Sequence, residues 1–288
     1  MPNFRPIGRR VQSIQTLEGG GFPVRRPFPI QGLIQVDPFL LLDHFGPVTW
    51  GPGEAIGAPD HPHRGFQAVT YLLQGENLHK DSFGGGGALG PGDVQWMTAG
   101  SGVVHSELPS AEFKKKGGTS EGFQLWVNLP ASHKMIPPEY QELKAEQIPT
   151  HSCKGGEVKV IAGEAFGLKS PVQTMTPISY LHLMLEQGGE VELPVPEGHT
   201  SLAYLAQGEA KINQDYAVAS TGEMIKFTGE GDAVGIKNTE PEQLSLILLT
   251  GEPIMEPIAR HGPFVMNTQA ELIEAFEDYN AGKMGKIG

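Results

Sequence analysis

Apolar and polar residues alternate along much of this chain in short stretches, and turn-forming residues separate the stretches. Residues 122–129 read Gly-Phe-Gln-Leu-Trp-Val-Asn-Leu, with the two-residue period of a half-buried strand. Residues 66–73 are rich in aromatic and β-branched side chains and stop at Gly75. Residues 158–161, 180–185, 201–205 and 244–249 carry the same signal, and turn clusters lie at 84–87, 89–93 and 194–198. Short strands with frequent turns predict an all-β sandwich or barrel.

The helical period of 3.6 emerges clearly near the C-terminus. Thr268 and Glu271 have the spacing of a capping box, in which each side chain satisfies an orphan backbone N–H. Leu272, Ala275, Phe276 and Tyr279 would form one apolar face, and Gly282 a stop. This helix is expected to pack and to carry no chemistry. A shorter helix is expected over residues 138–146. The chain also repeats itself. Residues 71–76 read Tyr-Leu-Leu-Gln-Gly-Glu and residues 204–209 read Tyr-Leu-Ala-Gln-Gly-Glu. Residues 92–98 line up with 222–228 in the same order and at nearly the same spacing. Two collinear matches indicate a duplicated β fold. The expected division is a first barrel over residues 1–135, a linker over 136–150 that contains the short helix, and a second barrel over 151–288 with the C-terminal helix.

Composition narrows the function. The chain has 288 residues with 39 glycines and 24 prolines, which suits many turns without the period of collagen. Acidic residues outnumber basic ones 33 to 21, a formal net charge of −12, which disfavours direct binding to nucleic-acid phosphates. Arg9-Arg10, Arg25-Arg26 and Lys114-Lys115-Lys116 are short basic spots that read as solvated loops. Cys153 is the one cysteine, so neither an intrachain disulfide nor a thiolate cluster can form. Residues 1–11 lack the apolar centre of a secretory signal, and the apolar runs are too short to cross a bilayer. The expectation is a cytoplasmic monomer without membrane association, nuclear in part if the source is eukaryotic.

The chemistry concentrates in the first copy. On a strand, residues i and i+2 face the same way, so His61-Pro62-His63 aims two imidazoles at one point. His105-Ser106-Glu107 does the same with an imidazole and a carboxylate. A strand ending at Gly75 and a Pro-Gly-Asp turn at 91–93 lie between the pairs and would bring them face to face. Three nitrogens and one oxygen would then surround one divalent ion, with two octahedral positions left for water, substrate or dioxygen. The pattern resembles non-haem iron sites, although Zn, Mn, Ni or Cu suit the same donors. In the repeat alignment the counterparts are Pro194, Pro196, Gly235 and Lys237, which offer no comparable donor set. His182 and His199 read as surface or core histidines. His44 and His79 lie close enough in sequence to the site to line a pocket. Phe39, Phe45, Trp96, Phe123 and Trp126 read as core. The glycines at 84–87 form no phosphate loop, since no Lys-Ser/Thr follows.

These segments resemble the pirin family. Asp60-His-Pro-His-Arg-Gly-Phe66 is similar to the family's first motif and residues 91–107, Pro-Gly-Asp-Val-Gln-Trp-Met-Thr-Ala-Gly-Ser-Gly-Val-Val-His-Ser-Glu, to its second. Residues 37–43, 125–129, 138–143 and 261–268 extend the likeness over nearly the whole chain from about residue 28. The resemblance implies a bicupin: two antiparallel double-stranded β-helix (jelly-roll) barrels, with one iron, as Fe(II), in the first. The implied ligands are His61, His63, His105 and Glu107. It also implies either of two activities. One is quercetin 2,3-dioxygenase, acting on a flavonol-like aromatic and dioxygen, with Glu107 as ligand or base. The other is a non-enzymatic iron or redox sensor that regulates transcription through protein partners. One departure stands out. Cupins commonly carry Glu four residues after the second histidine, and Gln67 occupies that position here.

Overall fold

The alternating segments are realised as strands. The computed structural model describes residues 2–213 and 217–288. Strands Phe66–Gln74, Gly118–Asn128, Thr150–Ala162, Ile178–Pro194, Thr200–Gln207 and Leu244–Gly251 cover the segments read from the sequence. They pair antiparallel with their neighbours. The α-helices among the described residues are Ala111–Lys116 and Gln269–Asn280.

Two compact units result, and each is assembled from separate stretches of chain. One contains residues 15–29, 39–145 and 254–288, the other residues 1–14, 30–38 and 146–253. Contiguous boundaries at 135 and 150 do not anticipate this. The N-terminal strand Ile7–Gln12 pairs with Glu223–Phe227 in the second unit. The C-terminal helix belongs to the first, where Leu272 and Ala275 pack with Val104 and Phe264. Residues 136–150 also need correction, because Glu139–Leu143 is a strand and not a helix. It pairs with Val94–Thr98, with Tyr140 opposite Met97 and Glu142 opposite Gln95. A free sheet edge took precedence over the helix propensity of Glu, Gln and Leu.

In the first unit a seven-stranded sheet has Val94–Thr98, Phe66–Gln74, Gly118–Asn128 and Phe39–Trp50 as its central strands. A four-stranded sheet contains Ala58–His63, Val103–Leu108, Asn77–Asp81 and Gly86–Leu89. The side chains of the two sheets meet, His63 against Phe66 and Trp126 and Thr70 against Glu107. Phe66 and Ala68 pack with Leu40, Met97, Ala99, Val103 and Val265. Thr70 and Leu72 continue the same strand face into a cavity.

The C-terminal helix starts as the sequence predicts. Glu271 N–H donates to Thr268 Oγ1 at 3.2 Å, and Thr268 N–H donates to Glu271 Oε2 at 2.7 Å. Its buried face adds Asp278 to Leu272 and Ala275, while Tyr279 stays partly exposed. Asp278 Oδ2 accepts from Arg64 Nη2 at 2.9 Å, so the helix grips the residue that follows His63.

The second unit is filled differently. Its inward positions opposite one another are Leu193 with Val234 and Val191 with Ile236, joined by Val195 in one buried aliphatic cluster. The repeat alignment put Pro194, Pro196, Gly235 and Lys237 in these places. The true inward set lies one residue away, and a shift of one residue turns a strand's other face inward. The inward side chains are thus aliphatic.

Candidate metal centre

Ala58–His63 and Val103–Leu108 run antiparallel with His61 opposite His105 and His63 opposite Val103. Strand alternation then directs His61, His63 and His105 to one side. Their ring centroids are 4.7 Å apart for His61–His63, 4.3 Å for His61–His105 and 5.0 Å for His63–His105. One nitrogen from each ring falls within 4.8 Å of the others. After His105 the register shifts, so that Glu107 lies opposite Ala58 and, on the other side, His79.

The rings are oriented as well as gathered. His61 Nδ1 is 2.7 Å from Pro59 O, and His63 Nδ1 is 3.4 Å from Pro263 O. A carbonyl can only accept, so each Nδ1 carries the proton and each Nε2 keeps its lone pair. His105 is buried with neither ring nitrogen bonded to protein. Burial, and then the neighbouring imidazoles, push His63 and His105 well below the usual histidine range. Three converging imidazoles, two of them held neutral by burial, and buried ring nitrogens of His105 left without a protein partner fit a transition-metal ion.

Glu107 lines the same cavity but falls outside the 4.8 Å group of three histidines. The Thr70 hydroxyl lies 2.7 Å from Glu107 Oε1 and 2.9 Å from Gln124 Oε1, and its single proton serves one of them at a time. Gln67 sits on the opposite face of the Phe66–Gln74 strand. It is buried, donates to Thr98 Oγ1 at 2.9 Å and does not line the cavity. The carboxylate missing there is therefore no loss to the cavity. His44 is also turned away, against Phe123 at 4.5 Å and between Arg25 and Glu121. His79 meets Glu142 at 2.5 Å and stacks on Tyr140.

The cavity holds about 550 Å³, a usual size for a small-molecule site. Phe22, Leu41, Phe45, Trp50, Ile56 and Trp126 give it apolar walls. Phe45 and Trp126, read from sequence as core, are cavity walls. A polar wall is made by Glu18, Arg26, Asp43 and Arg260. Arg26 is no solvated loop residue. Its Nε donates to Asp43 Oδ1 at 2.7 Å, Nη2 donates to Oδ2 at 2.5 Å, and Nη2 also reaches Glu18. Burial raises Asp43 to about 6 in spite of Arg26. A charged residue inside the apolar run 39–45 was the available signal for Asp43.

A buried lysine braces the histidine strand. Lys134 Nζ donates to Gly65 O at 2.7 Å, Asn128 Oδ1 at 2.7 Å and Val265 O at 3.0 Å, and burial lowers it to about 8. Gly65 has φ +86°, and a Cβ there would stand 2.0 Å from Val265 O, so the close approach requires glycine. Lys134→Met leaves three buried acceptors unpaired and is expected to cost about 2–4 kcal/mol. Chemical denaturation should show it as a lowered midpoint, and an unchanged midpoint would remove the brace from the account.

Comparison with known proteins decides the family. The Pirin family model matches residues 21–127, and the Pirin C-terminal cupin domain matches residues 180–285. The chain belongs to the pirin family. Pirin of Rattus norvegicus is 44% identical over 290 residues, covering 100% of this chain and 96% of the relative. A pirin-like protein of Solanum lycopersicum is 41% identical, covering 98% and 93%. A crystal structure of quercetin 2,3-dioxygenase from Acinetobacter baumannii superposes with a TM-score of 0.93 at 41% identity, covering 99% of this chain and 100% of that one. The two units are thus cupin domains, and the pirin fold accounts for the strand pairs that carry His61, His63 and His105.

Proposed function

We propose that this pirin-family protein is a metal-dependent dioxygenase acting on flavonols such as quercetin, with Fe(II) as its ion. The observation that carries the reading is the convergence of three imidazoles, two of them, His61 and His63, on the wall of a cavity with aromatic sides. His61, His63 and His105 would hold the ion, with Glu107 the nearby carboxylate on the same cavity face. A divalent transition metal there supplies a Lewis acid that stabilises an oxyanion and a centre for oxygen chemistry. Trp126, Phe22 and Phe45 bind flat rings and exclude water. Glu107, with Thr70 steering one of its oxygens, accepts the proton that a substrate hydroxyl must lose. Likeness to a quercetin 2,3-dioxygenase structure over the whole chain supports this choice of substrate.

The test is oxygen uptake with quercetin. Protein reconstituted with Fe(II) is expected to consume dioxygen faster than the metal-free protein. Equal rates would defeat the dioxygenase reading.

A further inference from the structure

The reaction proposed above leaves the polar wall of the cavity without a task. Arg260 lies on that wall, in the short strand Ala259–His261, opposite Val265 of Phe264–Met266. This hairpin is tied to the histidine motif. Val265 N–H donates to Arg64 O at 3.0 Å, Arg64 N–H reaches Pro263 O at 3.4 Å, and Lys134 bonds both Gly65 O and Val265 O. The backbone that carries Arg260 is therefore fixed relative to His63.

The guanidinium carbon of Arg260 stands over the Trp126 ring, 5.0 Å from its centroid. The His63 ring lies 5.2 Å from that same indole. Trp126 is thus a platform shared by a metal-site histidine and a cation, which are at most about 10 Å apart through it. Arg260 spends few of its donors on protein, since its hydrogen bond is Nη1 to Leu40 O at 3.0 Å. Its neighbour Arg26 behaves otherwise and engages both Asp43 and Glu18. Two carboxylates on this wall are therefore held by one guanidinium, and the other keeps donors open beside the cavity. An arginine remains protonated when half-buried, and a planar donor fork partly stripped of water favours a carboxylate.

We infer that Arg260 and Trp126 form a specificity subsite for a carboxylate on an aromatic substrate whose other end reaches the metal-site histidines. The inference rests on the function proposed above and narrows its substrates to aromatic oxygen compounds with an acidic tail. Trp126 supports the ring, and Arg260 takes the tail in a charge-assisted pair.

A matched pair of probes tests it: 3,4-dihydroxycinnamate and its methyl ester. They share the catechol and the ring and differ in the charge of the tail. Binding is read by quenching of tryptophan fluorescence in protein loaded with Zn(II), so no turnover is needed. Wild type is expected to bind the acid about tenfold more tightly than the ester. Arg260→Gln, checked for unchanged zinc content and circular dichroism, is expected to bring that ratio close to one, chiefly through weaker binding of the acid. Equal affinities in wild type, binding of neither probe, or an undiminished preference in R260Q would overturn the subsite. A preserved acid preference together with no oxygen uptake on quercetin would defeat the dioxygenase reading and leave the subsite standing.

Discussion

Glu107→Gln is expected to cut turnover of quercetin by about 10²–10⁴-fold, the usual cost of removing a positioned base. The substitution keeps the size of the side chain and its ability to accept from Thr70, which lies 2.7 Å from Oε1. It removes the charge and the basicity. The three imidazoles that converge within 4.8 Å remain, so the metal content should survive in large part. The informative measurement is therefore turnover per bound metal. Full activity with full metal would show that the proton goes elsewhere. Loss of metal in step with activity would make Glu107 a ligand above all.

The second large effect concerns the ion. The double variant His63→Ala, His105→Ala is expected to lose stoichiometric metal, judged by elemental analysis after dialysis. Removing an outer partner of a metal ligand typically costs about 10–100-fold in affinity, and removing two ligands costs more. His61 would remain, with Nδ1 still bonded to Pro59 O, but one imidazole does not make a site. Wild type should hold about one ion per chain, a stoichiometry set by the one cluster found among the described residues. Retention of that ion by the double variant would displace the centre from these strands.

The sequence disclosed parts of this picture for identifiable reasons. The convergence of His61, His63 and His105 was legible because strand alternation is strictly local and His61 lies opposite His105, whereas the register shift that leaves Glu107 outside their group has no mark in the sequence. The Thr268–Glu271 cap was legible because it needs only four consecutive residues. Arg260 was not, because it reaches Arg26 and Asp43 from a segment more than 200 residues away and no local period marks it, whereas the charge of Asp43 inside an apolar run was a signal left unused. Residues 139–143 misled because their composition suits a helix, while the open edge of Val94–Thr98 makes them a strand. The repeat gave the duplication correctly but missed the inward face by one residue. Small differences in loop length shift register, and register alone decides which side chains enter a barrel. The division at 135–150 missed the exchanged termini, since pairing between Ile7–Gln12 and Glu223–Phe227 leaves no trace in composition.

The brace on the histidine strand has a consequence for how the protein matures. Pro263 follows His63 by 200 residues in sequence, and Val265 lies just beyond it. A ribosome therefore exposes the strand of His61 and His63 long before the hairpin that orients His63 through Pro263 O and completes the cavity wall. During synthesis the early imidazoles face solvent without their clamp. The finished pocket, with its arginine and its oriented ring, comes into being only once the two stretches have both been made and have met, so an ion held there would be enclosed after the hairpin docks.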